Sequence, residues 1–188
     1  MKHVTHRLLP TVFASTFVLF AAVLPVGTDE PTDPLIETAV EAVSARRLKE
    51  DLNLLVGFGT RHTRSDTESN TRGIGAARRW LAARLAEASV QSGGHLVVES
   101  QSHIIPAGRR MPVDTELVNV VATLPGSDEG RVVIVSGHYD SRNSTDENVT
   151  DDAPGANDDG SGTVAVLEAA RVVAAAQGLL PQRVELEQ

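Results

Sequence analysis

The 188-residue sequence predicts an α/β fold, with a mixed β-sheet flanked by helices. Three features carry that prediction. Apolar residues recur at helical spacing on both sides of a central region. Two extended segments within that region each stop at a proline. A continuous apolar run, Val132-Val133-Ile134-Val135, then suits a central strand buried on both faces.

The chain opens with the basic or titratable residues Lys2, His3, His6 and Arg7, and an apolar run extends from Leu8 to Val26. The polar stretch Thr28-Asp29-Glu30 ends it. Residues 1–27 therefore read as a secretory signal peptide, or as an N-terminal membrane anchor if they stay uncleaved. An exported protein, periplasmic or extracellular, is expected, with membrane contact only in the uncleaved case. Residues 28–33 read as a linker, and residues 34–188 as the folded part.

Leu35, Val40 and Val43 mark a first helix. Leu48, Leu52 and Leu55, spaced i, i+4, i+7, mark a second, which Gly57 and Gly59 end. The polar residues from Arg61 to Thr71 read as a loop. Ile74, Ala77, Trp80, Leu81 and Leu85 share one face of a third helix, closed by Gly93-Gly94. Strands are expected over Leu96–Ile105, stopped by Pro106, and over Leu117–Leu124, stopped by Pro125-Gly126. Arg131–Gly137 carries the buried run. A last helix is expected from about Ser161 to Gln177, with Val184–Leu186 opening one further strand.

Composition narrows the chemistry. Hydrophobic residues make up 41% of the chain but aromatics only 3%, so the core must be aliphatic. A formal charge of −8 repels phosphate backbones, and no nucleic-acid partner is expected. The absence of cysteine excludes disulfides, iron–sulfur clusters and thiolate zinc sites. Any metal must be held by His, Asp or Glu.

His138 and Asp140 follow the apolar run, where ligands of open α/β sheets bind. On an extended backbone, residues two apart project to the same side. Asp140 can then orient the His138 imidazole. Taken alone, this spacing fits a capped surface turn better than a site. The second signal is Pro154-Gly155-Ala156-Asn157-Asp158-Asp159-Gly160-Ser161-Gly162, ahead of an apolar helix. Adjacent carboxylates at such a turn repel each other unless a cation offsets them. Helix capping by Asp159 or Ser161 is the plainer reading of these residues. Calcium is a further alternative, given Asp146, Glu147, Asp151 and Asp152 nearby, although a histidine ligand favours zinc.

Together, Ser136-Gly137-His138-Tyr139-Asp140-Ser141, the Pro154–Gly162 run and Val164–Glu168 resemble the M28 metallopeptidases. Gly59-Thr60-Arg61-His62-Thr63 and Asn119-Val120-Val121-Ala122 are similar to secreted bacterial members of aminopeptidase type. The resemblance covers roughly residues 40–186. It implies a zinc-exopeptidase-like three-layer sandwich of which residues 34–188 are the N-terminal portion, incomplete at the C-terminus. It implies a zinc-dependent aminopeptidase that hydrolyses N-terminal residues of peptides with two zinc ions. His138 matches a zinc ligand and Asp158 the aspartate bridging both ions. Asp140 matches the acid behind the histidine. Asp159 matches the residue joined to the bridging aspartate by a cis peptide.

The family's general base lies on a later Gly-Glu-Glu turn, which Glu185 and Glu187 do not match. These 188 residues alone are therefore expected to be inactive. A non-catalytic exported fragment, or a carboxypeptidase or glutaminyl cyclase of the same fold, remain the other readings. If His138 and Asp158 ligate one zinc at about 2.0–2.2 Å each, their donor atoms lie roughly 3–4 Å apart.

Overall fold

The computed structural model describes residues 33–178, apart from 110, 129 and 146. The expected leader, all of the expected linker but Asp33, and the strand expected at Val184–Leu186 lie outside these residues.

Helix α1 spans Pro34–Glu41. Asp33 caps it by accepting the Leu35 N–H at 2.9 Å, and Pro34 takes the first helical position, where no N–H is needed. Helix α2 spans Ala45–Gly57 and is capped by Ser44, whose Oγ accepts the Arg47 N–H at 3.3 Å. Helix α3, Gly73–Gln91, has no side-chain cap at its own N-terminus. The preceding loop supplies one from a distance. Ser65 Oγ accepts the Ile74 N–H at 2.9 Å and the Asp66 carbonyl accepts the Gly75 N–H at 3.1 Å. The polar segment 61–71 is thus a loop, as its composition predicts, and it also satisfies the orphan donors of the next helix.

Strands β1 (Val97–Ile105) and β2 (Thr115–Thr123) form an antiparallel hairpin, paired from Val97↔Thr123 to Ile105↔Thr115. Helix α4 spans Ser161–Gly178. The core is aliphatic and small. Leu55, Ala77 and Val164 are buried together, with Leu48, Leu52, Phe58, Trp80 and Tyr139 against them. Ala88, Leu96 and Ala174 form a second cluster with Ala122 and Leu124. Alanine at positions 77, 88 and 174 lets helix backbones approach closely, which suits a chain short of aromatics.

The α/β class stands, but the sheet of the described residues is only this hairpin, with no parallel pair. The expected buried strand at 131–137 is corrected here. Val132, Val133, Ile134 and Val135 are 82%, 89%, 83% and 62% exposed and pair with no other described segment. A β-branched run records a preference for burial, whereas burial itself needs partner strands on both edges. Residues 132–135 thus present an unpaired apolar edge, the arrangement that favours edge-to-edge association. Sedimentation at rising concentration is expected to show association, and Ile134→Lys should shift its onset to higher concentration.

Helices α2 and α4 are also joined by a charged cluster. Glu168, 3% exposed, accepts the Ser44 N–H at 2.8 Å and both Arg47 Nη2 (2.6 Å) and Nε (3.2 Å). Arg171 Nη1 donates to the other side of the same carboxylate, and Arg171 Nη2 donates to Asp51 at 3.1 Å. Burial pushes the Glu168 carboxyl up, but Arg47, the Ser44 N–H and Arg171 outweigh it and hold the group below its usual range. A carboxylate with a depressed folded pKa contributes stability that is fully present above its ordinary value of about 4.3. That stability is lost as pH falls through the lower folded value. Acid titration should therefore destabilise the chain below about pH 4.3. In Glu168→Ala this pH dependence should flatten. Stability at neutral pH should fall by about 3–5 kcal/mol, the cost of leaving buried partners unpaired, as read by chemical denaturation.

Candidate metal centre

Between the exposed run and α4 the backbone folds into two facing pieces. One is the segment His138–Ser141. The other is the wide turn Ala156–Gly160, which leads directly into α4. Within that turn, Asp158 (φ −124°, ψ 94°) and Asp159 (φ −127°, ψ 41°) leave helical geometry, and the peptide bond between them is cis.

The turn begins at Gly155, whose φ is +45°. A Cβ there would lie 2.6 Å from Ser141 Cβ and 2.9 Å from the Asp158 carbonyl oxygen. Only glycine meets both demands, a left-handed backbone and contact with the neighbouring segment. The Gly160 N–H closes the turn on the Gly155 carbonyl at 3.0 Å.

His138, Asp140, Asp158 and Asp159 come together. His138 Nδ1 lies 3.1 Å from Asp140 Oδ1, and Nε2 lies 3.0 Å from Asp158 Oδ1. The His138 N–H donates to Asp159 Oδ2 at 3.2 Å, and the Gly162 N–H donates to Asp159 Oδ1 at 3.1 Å. Thr163 Oγ1 donates to the His138 carbonyl at 2.9 Å. The first turn of α4 is therefore bonded to the histidine's own backbone.

The three carboxylates stand differently. Asp159 is engaged by two backbone N–H groups. Asp140 is half-buried, faces His138 and accepts from Thr63 Oγ1 at 3.5 Å. Asp158 is 89% exposed at its side chain, which among the described residues pairs with His138 alone. It keeps open acceptor positions toward solvent.

Both imidazole nitrogens face carboxylate oxygens. A neutral imidazole has one N–H, and if Asp140 takes it, Nε2 presents a lone pair to Asp158 at 3.0 Å. Two acceptors at that separation need a proton or a metal cation between them. Burial pulls the His138 pKa down, but the charge and hydrogen bonds of Asp140, with Asp159 adding, leave it above its ordinary value. The donor set of one imidazole, one open carboxylate and one orienting carboxylate fits zinc.

This pair offers two donor side chains. Among the described residues no group of three or more His, Asp or Glu side chains could hold a metal. Among its described residues the acidic loop brings no calcium cage together. Asp151 accepts from Asn148 at 2.8 Å, Asp152 pairs with Arg72 at 2.7 Å, and Asp146 lies outside the described residues. His62, from the upstream motif, is buried, and its Nδ1 accepts the Arg64 N–H at 3.0 Å.

Sequence reasoning missed the side chain beneath the site. Arg61 is 0% exposed, although it opens a segment that reads as a polar loop. Its Nε donates to the Tyr139 carbonyl at 2.7 Å. Its Nη1 donates to the carbonyls of Leu55 (3.1 Å) and Pro154 (3.0 Å), and its Nη2 to that of Gly155 (3.1 Å). Ser141 Oγ accepts the Arg61 N–H at 3.2 Å and donates to Ala153 at 2.6 Å. The one sequence signal was the Gly59–Thr63 resemblance, which marks the position without saying that the arginine turns inward.

The sequence model of peptidase family M28 matches residues 119–186, which include His138, the cis turn and α4. A protein named probable zinc metalloprotease in Leptosphaeria maculans is 46% identical over 140 residues, covering 74% of this chain and 32% of its own length. One of the same name in Pyrenophora teres f. teres is 44% identical over 146 residues, covering 77% and 30%. The chain belongs to peptidase family M28. A protein named probable leucine aminopeptidase in Trichophyton verrucosum is 31% identical to the M28 chain over 160 residues, covering 82% and 38%. These relatives are fungal, whereas the motifs were matched to secreted bacterial members. The M28 chain spans about a third of the length of the curated relatives it matches. No solved structure matches it.

Gly155→Ala puts a methyl group into the contact with Ser141 at a left-handed backbone. It should cost more than about 1 kcal/mol in denaturation, and the largest amide shifts in NMR spectra should fall at 138–141 and 156–162.

Proposed function

We propose that the M28 chain supplies a histidine ligand and the bridging aspartate of a two-zinc peptidase centre, in an exported enzyme that removes N-terminal residues from peptides. The observation that carries this reading is the 3.0 Å approach of His138 Nε2 to Asp158 Oδ1 beside the Asp158–Asp159 cis bond. His138 and Asp158 would hold the metal. Asp140 takes the Nδ1 proton, fixes the ring and leaves Nε2 directed at Asp158. Asp159 acts as a brace, because its oxygens are engaged by the His138 and Gly162 N–H groups.

Zinc, when bound, supplies Lewis acidity toward a water and a peptide carbonyl. The chain's own part is to keep two donors at ligand separation and one carboxylate open to solvent. The aminopeptidase assignment rests on the motif pair and on the name of the Trichophyton verrucosum relative. Export is supported by the basic start and the apolar run from Leu8 to Val26.

Two protein ligands hold zinc weakly. Residues 1–188 produced alone should bind it with a dissociation constant of micromolar or above and should not turn over leucyl-p-nitroanilide. Zinc titration should shift the ring resonances of His138 in wild type and not in Asp158→Asn. Equal shifts in the two proteins would remove Asp158 from the site. A longer polypeptide carrying these residues should release nitroaniline from the free-amine substrate and not from its N-acetylated form. Cleavage of the acetylated form would replace aminopeptidase with an endopeptidase reading.

A further inference from the structure

We propose that Arg61 is the positioning residue of this centre, setting the gap between His138 and Asp158 from beneath without touching metal or substrate. The inference rests on the metal-centre reading for its purpose and on backbone geometry for its substance.

The two ligands sit on separate backbone pieces. His138 belongs to the segment 138–141 and Asp158 to the turn 155–160. Besides the His138–Asp158 contact itself, the Asp159 and Thr163 hydrogen bonds connect them at the α4 end. On the opposite side, Arg61 joins the same two pieces. Its Nε holds the carbonyl of Tyr139, the residue between His138 and Asp140. Its Nη2 holds the carbonyl of Gly155, which also accepts the Gly160 N–H that closes the cis turn. Nη1 adds the Pro154 carbonyl and anchors the group to α2 through the Leu55 carbonyl.

The backbone of residue 61 repeats the link. The Ser141 N–H donates to the Arg61 carbonyl at 3.1 Å, and Ala153 N–H donates to Gly59 at 3.0 Å. The backbone of residues 59–61 thus bonds to the segment of His138 and to Ala153, two residues before the turn begins at Gly155. The guanidinium is suited to this work. It is planar, and its donors leave in fixed directions, so four carbonyls on three segments are spaced by one rigid fork. A lysine ammonium has the charge but a single nitrogen, and cannot span those acceptors. Burial lowers the Arg61 pKa and the Asp140 charge opposes this. The retained cation also offsets part of the acid gathered above it.

The test compares Arg61→Lys with Leu85→Ala, a core change on α3 that gives a matched loss of stability away from the site. Both are studied below their unfolding transitions. In metal-free protein, Arg61→Lys should speed hydrogen exchange of the Gly160 and Ser141 amides at least tenfold relative to the α3 amides. Leu85→Ala should not show this bias. In zinc titrations followed at the His138 ring, Arg61→Lys should weaken binding by about 10–100-fold, as loss of a ligand's support does, while Leu85→Ala binds as wild type. Exchange that rises evenly across the chain, with zinc affinity unchanged, would make Arg61 an ordinary packing residue and overturn the proposal.

If wild-type His138 does not respond to zinc while the exchange bias persists, Arg61 still positions the turn and it is the metal reading that fails. Should Arg61→Lys not fold, Ser141→Ala removes only the Oγ bridge between Arg61 N–H and Ala153. It should give the same local bias at smaller amplitude, and its absence would count against the proposal equally.

Discussion

A buried guanidinium is the constraint on which the rest of the site depends. Arg61 has no solvent exposure and its donors end on main-chain carbonyls of Leu55, Tyr139, Pro154 and Gly155. Isolated charges are costly to bury, so this arrangement persists only because the fork is satisfied. The converse also holds. Those carbonyls belong to a helix end and two irregular segments that have no ladder of their own, and buried carbonyls without partners would be costly as well. The cation and the irregular backbone therefore require each other, and the ligand-bearing loops can exist at this place without being part of a sheet.

Above that layer the problem is too much negative charge in a small volume. Three aspartates lie around one imidazole, and each is handled differently. Asp159 is neutralised by backbone donors, one of them in the first turn of α4, where helix N–H groups lack intrahelical partners. Asp140 spends its charge on His138. Asp158 alone stays exposed with a single contact. Asp158 is the more open carboxylate, whereas Asp159 next to it is engaged by two backbone donors. Environment, more than residue type, separates these carboxylates.

Much of this was legible from residue pattern, for reasons that differ by element. Leu48, Leu52 and Leu55 predict α2 because a helix that packs must repeat its apolar face, and Leu55 is indeed fully buried. Pro106 and Pro125 limit the hairpin because proline cannot donate to a ladder. The pairing of His138-x-Asp140 with the Asp158-Asp159 turn was visible through its resemblance to the M28 motifs, since the carboxylates alone fit a helix cap as well. The run Val132–Val135 misled, since side-chain type records what burial a strand prefers and not which neighbours provide it. Arg61 and Glu168 were unreadable for the opposite reason. A lone charged residue has no period, and its burial is decided by carbonyls and ion partners as many as 121 positions away, as with Arg47 and Glu168.

Those two buried charges also form parts of one circuit. The C-terminal end of α2 reaches Arg61 through the Leu55 carbonyl. Arg61 reaches the cis turn through Gly155, and the turn continues without a break into α4. Two turns along α4, Glu168 returns to Arg47 and to the Ser44 N–H at the start of α2. The path closes on the helix where it began. In a closed path of this kind, α4 cannot slide along α2 without stretching either the ion pair at one end or the guanidinium fork at the other. The first turn of α4 carries Gly162 and Thr163, which hold Asp159 and the His138 carbonyl, so the axial position of that helix sets where His138 and Asp158 meet. The sparse aliphatic core supplies cohesion but little direction, because dispersion and apolar burial are tolerant of small slides. Directional bonds at the two ends of α2 supply what the core cannot, and the separation of His138 from Asp158 follows from them.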